Sequence, residues 1–334
     1  MLKALITGIG GQDGSYLTEL LLSKGYEVHG MVRRVSSGYD NLRNIKHLVG
    51  DENIYRKTLF LHSGDMSDTT SLFRLIGEIK PDEIYNLAAQ ADVQESFQMP
   101  EYTIDVNGNG VVRILEAVKQ LSPKTKVYQA STSELFGNSG TEIQNEGISM
   151  NPQSPYGIGK LAGYMAVKRY REAYGIFACN GILFNHESER RGDDYVTRKI
   201  TKGLARIKHG LQKELRLGNL DAIRDWGHSR DYIEAAWMII QQEKSDDFVI
   251  GTGEIHTVQE WLHFCLGYFE LTMDCVVIDS KLFRPAEVYS LRADYSKAKA
   301  QLGWEPKVTF GSLAMIMCQN DEYLASLEAR SLGK

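Results

Sequence analysis

The first strand-like run of the chain, Leu2 to Thr7, leads directly into Gly8-Ile9-Gly10-Gly11-Gln12-Asp13-Gly14, and an amphipathic stretch begins at Ser15. Glycines at 8, 11 and 14 suit a tight strand-to-helix turn whose backbone can approach a pyrophosphate and aim helix N-terminal amides at it. A turn of this kind between the first strand and the first helix predicts dinucleotide binding and constrains the next 150 or so residues, roughly one domain's length, to a strand-helix repeat.

The repeat is legible downstream. Short apolar runs predict strands over 2–7, 27–32, 58–63, 83–87, 126–130 and 178–183, and helical periodicity covers 15–24, 69–79, 103–121 and 155–174. Such alternation predicts an α/β fold, a Rossmann-type doubly wound parallel sheet. After about residue 185 the pattern loosens into helices over 195–210, 231–242 and 258–269 with short strands between them, which predicts a smaller α/β C-terminal lobe for substrate. The expected division is a dinucleotide-binding domain with the catalytic residues over 1–184 and a substrate lobe over 185–334, parts of which could return to the first domain.

With 334 residues, 43% hydrophobic and 24% charged, the chain can bury a large core. A net charge of -5 and scattered lysines and arginines give no basic face for nucleic acid. No apolar run is long enough to span a membrane. Cys179, Cys265, Cys275 and Cys318 are far apart and the N-terminus runs straight into a strand, so free thiols in a reducing cytoplasm are expected. The histidines do not pair at metal-ligand spacings, and no metal is expected.

The end of the second strand bears on which dinucleotide is bound. An acidic residue there would hold a ribose 2'-hydroxyl, whereas arginine suits a 2'-phosphate. Arg33 and Arg34, followed by Ser36 and Ser37, favour NADP, although two arginines are also usual in a solvated turn. Asp65, at the end of the third strand, is placed to meet the adenine amino group or, more simply, to cap the next helix.

The chemistry is written in the middle of the chain. Ser131-Thr132-Ser133-Glu134 is followed 22 positions after the glutamate by Tyr156, and Lys160 stands four residues further on. A phenol titrates near pH 10, so a base at neutral pH needs roughly 4 kcal/mol of preference for the phenolate. An ammonium at i+4 on the same helix face is expected to supply much of it. Tyr164 and Lys168 repeat the spacing, but they lie two turns into the predicted helix, whereas Tyr156 follows Ser154-Pro155 at its start. Glu134 adds a second acid/base group, which turns an oxidoreductase reading into a dehydratase reading.

These motifs occur in order with Asn185-His186-Glu187-Ser188, Arg190-Arg191-Gly192, Val196-Thr197-Arg198-Lys199, Arg224-Asp225-Trp226-Gly227-His228 and Phe283-Arg284-Pro285-Ala286-Glu287. From Leu2 to about Ala314 the chain resembles the GDP-mannose 4,6-dehydratases of the extended short-chain dehydrogenase/reductase family. The resemblance implies that Tyr156, helped by Lys160 and Thr132, takes the proton of the sugar 4-hydroxyl as C4 is oxidised. Glu134 then takes the C5 proton, water leaves from C6, and hydride returns to C6, giving a GDP-4-keto-6-deoxy sugar. It also implies that Gly8 to Gly14, Arg34, Asp65, Met66, Leu87, Ala88, Ala89, Gln90, Tyr102, His186 and Arg191 line NADP. Asn185, Lys199, Arg224, Arg284 and Glu287 would hold the GDP-sugar, with arginine forks on phosphate and Glu287 on the guanine edge. The stretch from Arg33 to Asn41 would reach a neighbouring subunit in a homotetramer.

Departures bear on the sugar. After Leu87-Ala88-Ala89-Gln90 such enzymes carry serine and often histidine, where this chain has Ala91-Asp92. That change enlarges or re-aims the hexose end of the pocket, and GDP-manno-heptose fits it as well as GDP-mannose. A 4-dehydrogenase, 4-epimerase or 4-keto reductase on the same scaffold would need Tyr156 and Lys160 but not Glu134. A non-enzymatic NADP sensor would be expected to have lost Tyr156 or Lys160.

Overall fold

A computed structural model describes residues 1–36, 38–39, 42–283 and 288–333. Seven parallel strands form one sheet: β1 (Lys3–Thr7), β2 (Glu27–Val32), β3 (Leu59–Ser63), β4 (Glu83–Asn86), β5 (Lys126–Thr132), β6 (Ala178–Leu183) and β7 (Asp247–Ile250). Their spatial order is β7-β6-β5-β4-β1-β2-β3. The order reverses on either side of β1, which is the doubly wound arrangement and opens a crevice beyond the strands' carboxyl ends. Helices cover both faces, so strands such as β6 are buried along their whole length. The last strand, β7, comes from beyond residue 185 and pairs with β6 in register Val249 to Ile182.

Helix α1 (Gln12–Ser23) follows the glycine turn, and α2 (Thr69–Ile79) is capped by Asp68, which accepts from the amides of Thr70 and Ser71. The helix expected over 103–121 is not continuous. A short helix, Pro100–Ile104, opens into a π-helical turn, Asp105–Asn109, before α3 (Gly110–Leu121) resumes. Glycines let this wide turn lie against its neighbours: a Cβ on Gly108 would stand 3.1 Å from Ala162 Cβ, and one on Gly110 would stand 2.9 Å from Met66 Cε. The extra residue in the turn rotates Asn107 out of helical register.

Helix α4 (Pro155–Tyr174) starts where the sequence placed it, because Ser154 accepts from Gly157 N at 3.1 Å and Pro155 occupies the first turn. The lobe contributes α5 (Val196–Lys208), α6 (Ser229–Ile240), α7 (Val258–Phe269) and the C-terminal α8 (Phe310–Ser331). Helix α6 returns to pack against the sheet, while α5, α7 and α8 enclose a separate core around Trp226, Trp261 and Met317. Among the described residues, no helix is long and apolar enough to cross a membrane.

Candidate active site

A cavity of about 490 Å³ lies between the sheet's carboxyl edge and the lobe. Its sheet wall brings together all four expected catalytic side chains: Thr132 ends β5, Glu134 sits in the single helical turn Ser133–Leu135, and Tyr156 and Lys160 rise from the first turns of α4. Thr132 Oγ1 accepts from Glu134 N at 3.2 Å, so the threonine both shapes that turn and stays within hydrogen-bonding reach of Tyr156. The Glu134 side chain is buried and has no hydrogen-bond or ion-pair partner among the described residues. Tyr164 instead packs in the core and does not line the cavity.

One expectation is corrected. Lys160 does not by itself prepare Tyr156 as a base: burial pushes the phenol well above its ordinary range, outweighing the Thr132 hydroxyl, while Tyr195 and Glu134 push the same way. The ammonium is turned elsewhere. Lys160 Nζ donates to Ala130 O at 3.0 Å and lies 5.8 Å from the Tyr156 ring centre. Burial lowers Lys160 itself to about 8, with Asp13 opposing. In the ligand-free protein both groups are therefore poised near or toward their neutral forms, and a further positive charge is needed before the phenol ionises easily.

The glycine turn suits a dinucleotide. Gly8 has φ +71°, and a Cβ on Gly14 would fall 2.3 Å from Gly8 O, so both must be glycine to keep the turn this tight. The first residue of the turn into α1, Gly11, brings no side-chain cap, which leaves the opening amides of the helix to a ligand. Within the cavity, Ser131 Oγ is buried without a partner. The side chains of Gln12 and Asp13 are committed elsewhere. Gln12 Nε2 donates to His186 O at 3.1 Å and Gln12 Oε1 accepts from Ser188 Oγ at 2.8 Å, while Asp13 takes His186 Nε2 at 2.8 Å and Ser229 Oγ at 2.7 Å. Burial works against ionisation of Asp13, yet His186, Ser229 and Arg191 hold it well below the usual carboxylate range. Burial likewise opposes the charge on His186, and Asp13 raises it above its ordinary value. With His186 Nδ1 against Phe184 O at 2.8 Å, both ring nitrogens are occupied although the ring lines the cavity.

The other expected cofactor positions fall into three groups. Leu87, Ala89 and Arg191 line the main cavity; Ala88 and Gln90 stand behind it, Ala88 N bonded to Thr7 Oγ1 at 3.1 Å and Gln90 N to Asn107 Oδ1 at 3.0 Å. A second cleft is lined by Arg33, Arg34, Asp65, Asp68 and Arg74, with Arg33 donating to Tyr102 Oη at 3.3 Å. Asp65 does not cap α2, since Asp68 does; it accepts from the amide and hydroxyl of Ser67, at 2.9 and 2.7 Å. Ser36 is exposed and does not line that cleft. The Met66 side chain is core, so only its backbone can face a ligand.

On the lobe wall, Asn185, Lys199 and Arg224 line the cavity. The Lys199 ammonium has no ion pair among the described residues, and Arg224, only 6% exposed, donates to the carbonyls of Ile223 and Val288, both at 2.8 Å. Arg284 and Glu287 lie outside the described residues. Sequence reasoning missed Asn107, which clamps both backbone groups of Gln90 from the π-helical turn, and Tyr195, on whose ring Arg191 stacks at 3.6 Å. Gly108 and Gly110 inside a predicted helix were the available signal for the first.

The family model described as GDP-mannose 4,6 dehydratase matches residues 5–317. GDP-mannose 4,6 dehydratase 1 of Arabidopsis thaliana is 52% identical over 97% of this chain and 91% of its own length. A GDP-mannose 4,6-dehydratase of Vibrio cholerae is 46% identical over 98% of this chain and 95% of its own length. A Bacillus cereus UDP-glucuronic acid 4-epimerase, solved with UDP-glucuronic acid and NAD, superposes with a TM-score of 0.84 at 23% identity, over 97% of this chain and all of that one, a likeness of fold. From its first strand to its C-terminal helix, the chain belongs to the GDP-mannose 4,6-dehydratase family.

Proposed function

We propose that the protein converts a GDP-linked manno-configured sugar to its 4-keto-6-deoxy form by internal redox dehydration. The observation that carries the reading is the buried, unpartnered Glu134 carboxylate on the same wall as Thr132, Tyr156 and Lys160. When bound along the Gly8–Gly14 turn, a nicotinamide cofactor would supply the redox capacity of this reaction, holding the C4 hydride until it is returned to C6. Tyr156 takes the 4-hydroxyl proton, with Thr132 holding the phenol oxygen. Oxidation at C4 acidifies the C5 proton enough for a carboxylate, so Glu134 removes it and passes it to the departing 6-hydroxyl, and once hydride has returned to C6 the proton given up by the 4-hydroxyl is made good at C5. Lys160 keeps positive charge beside the phenol's end of the cavity. Lys199 and Arg224 bind the diphosphate, together with Arg284, and Glu287 accepts from the guanine edge.

NADP is the cofactor we infer, since Arg33, Arg34 and Arg74 converge on the cleft at the ends of β2 and β3, where a 2'-phosphate finds three guanidinium groups. The Gly8–Gly14 turn takes the pyrophosphate, and Leu87, Ala89, Ser131 and Arg191 face the nicotinamide end. Residues 1–184 hold the cofactor and residues 185–334 mainly the substrate, in a cytoplasmic homotetramer; residues 37, 40 and 41 of the Arg33–Asn41 stretch, expected to reach a neighbouring subunit, lie outside the described residues. A strictly monomeric light-scattering peak at micromolar protein would remove the assembly.

Purified protein with NADP+ and a GDP-sugar is expected to give a product one water lighter, with no lasting NADPH absorbance. Glu134→Gln is expected to abolish water loss while leaving cofactor binding intact. Accumulating NADPH without loss of water would instead make the protein a 4-dehydrogenase and Glu134 a bystander.

A further inference from the structure

The cavity is electrically divided. Lys199 and Arg224 mark the end suited to a diphosphate, whereas Asp92 joins Glu134 around the tyrosines. Asp92 lies within electrostatic reach of Tyr195, and Tyr195 within reach of Tyr156. An acidic side chain in that position repels phosphate, so it belongs to the sugar end. Its Oδ1 accepts from Glu95 N at 3.0 Å, which fixes the carboxylate at the head of the short helix Val93–Ser96. The other oxygen has no partner among the described residues. Beside it, Ala89 and Ala91 present only methyl groups to the cavity.

A hexose offers this corner little. Its one hydroxyl beyond the ring, on C6, departs in the reaction, and Glu134 already serves it. An open carboxylate oxygen next to methyl-lined space calls instead for a hydroxyl that stays on the sugar. We propose that the sugar subsite is built for a GDP-linked manno-configured sugar carrying a seventh, hydroxylated carbon on C6, with Asp92 accepting a hydrogen bond from the C7 hydroxyl. The inference rests on the dehydratase reading and deepens it. The bonds made and broken are unchanged: the C5 proton and the C6 hydroxyl leave as one water, and the C7 hydroxyl is retained.

The test is a competition on the NADP+-loaded enzyme between GDP-mannose and GDP-manno-heptose, following product masses. The heptose is expected to be preferred by about tenfold or more in kcat/KM, the size of effect one hydrogen bond to a half-buried carboxylate gives. Asp92→Asn keeps the oxygen that caps Glu95. It is expected to lower kcat/KM for the heptose about tenfold more than for mannose, chiefly through KM. The pair Ala91→Ser and Asp92→His is expected to reverse the preference. Preference for mannose, or equal losses on both sugars in Asp92→Asn, would overturn the proposal by assigning Asp92 to the ring hydroxyls. Loss of water from neither sugar would overturn the dehydratase reading and this inference with it.

Discussion

The two walls of the cavity are built on different principles. On the sheet wall, Thr132, Tyr156 and Lys160 stand on regular elements, a central strand and a capped helix, whose backbone hydrogen bonds fix each side chain's direction. On the lobe wall Lys199 stands on α5, but Asn185, Arg191, Tyr195 and Arg224 stand on two- and three-residue strands and turns that cannot hold themselves. There the backbone is held by side chains. Arg198 donates to the carbonyls of Glu189 and Arg191, and its other nitrogen meets Asp321 Oδ1 of α8 at 2.7 Å, with Thr201 Oγ1 on the second carboxylate oxygen at 2.6 Å. Arg191 in turn pairs with Glu187 at 3.0 Å, and Glu187 takes Thr197 Oγ1 at 2.7 Å. The sheet wall is held by backbone ladders and helix hydrogen bonds, whereas the lobe wall needs a carboxylate contributed from the C-terminal helix.

If that contrast is right, damage on the two sides has different signatures. Tyr156→Phe removes one hydroxyl from a rigid wall, so the largest expected effect is a fall in kcat of about 10²–10⁴ with thermal stability unchanged to within about 1 kcal/mol. A parallel loss of stability would show that the sheet wall is not the rigid one. Asp321→Ala lies far along the chain from the chemistry and should do the opposite. Burial holds the Asp321 carboxyl above its usual range even though Arg198 and Thr201 favour its charge, so the pair is costly to form. Breaking it strands a guanidinium that is only 3% exposed, and a destabilisation of about 3–5 kcal/mol is expected. Because Arg198 stands next to Lys199 on α5 and ties that helix to the Glu189 and Arg191 carbonyls, KM for the GDP-sugar should rise more than kcat falls. Urea melts and steady-state kinetics on the one variant separate the two effects, and an unchanged KM would mean the lobe wall supports itself.

The same contrast explains what the sequence disclosed. The parallel sheet, the glycine turn and α4 were legible because period, capping residues and glycine placement are local signals, down to Ser154 and Pro155 at the head of α4. The spacing of Glu134, Tyr156 and Lys160 was readable for the same reason. Other features were hidden because they depend on contacts between segments distant in sequence. The π-helical turn at Asp105–Asn109 reads as ordinary helix until Gly108 is seen pressed on Ala162. Asp13 and His186 were each expected at the cofactor, and both line the cavity, but their bond to one another across 173 residues was hidden. Arg33 and Arg34 became more informative once folding brought Arg74 alongside them. The electrostatic state of Tyr156 was misread because an i+4 spacing fixes a helix face but not burial, and burial dominates.

Lys160 sharpens the comparison with a smaller effect, since it is the one buried cation on the rigid wall among the described residues. Its ammonium is unfavourable in the fold, with the value lowered from 10.5 to about 8 by burial. Below pH 8 the folded and unfolded chains both carry the charge, and the fold bears the full cost of burying it. Between about 8 and 10.5 the folded protein releases the proton while the unfolded chain keeps it, so stability contributed by this site rises with pH. Above that window neither state is charged and the contribution levels off. Lys160→Met removes the titration, so the difference in unfolding free energy between wild type and variant should change by roughly 3 kcal/mol across the window, with wild type gaining. Ligand-free urea melts at a series of pH values measure this directly. A flat difference would mean that water reaches Lys160, and the sheet wall would then be as open to solvent as the turns that face it.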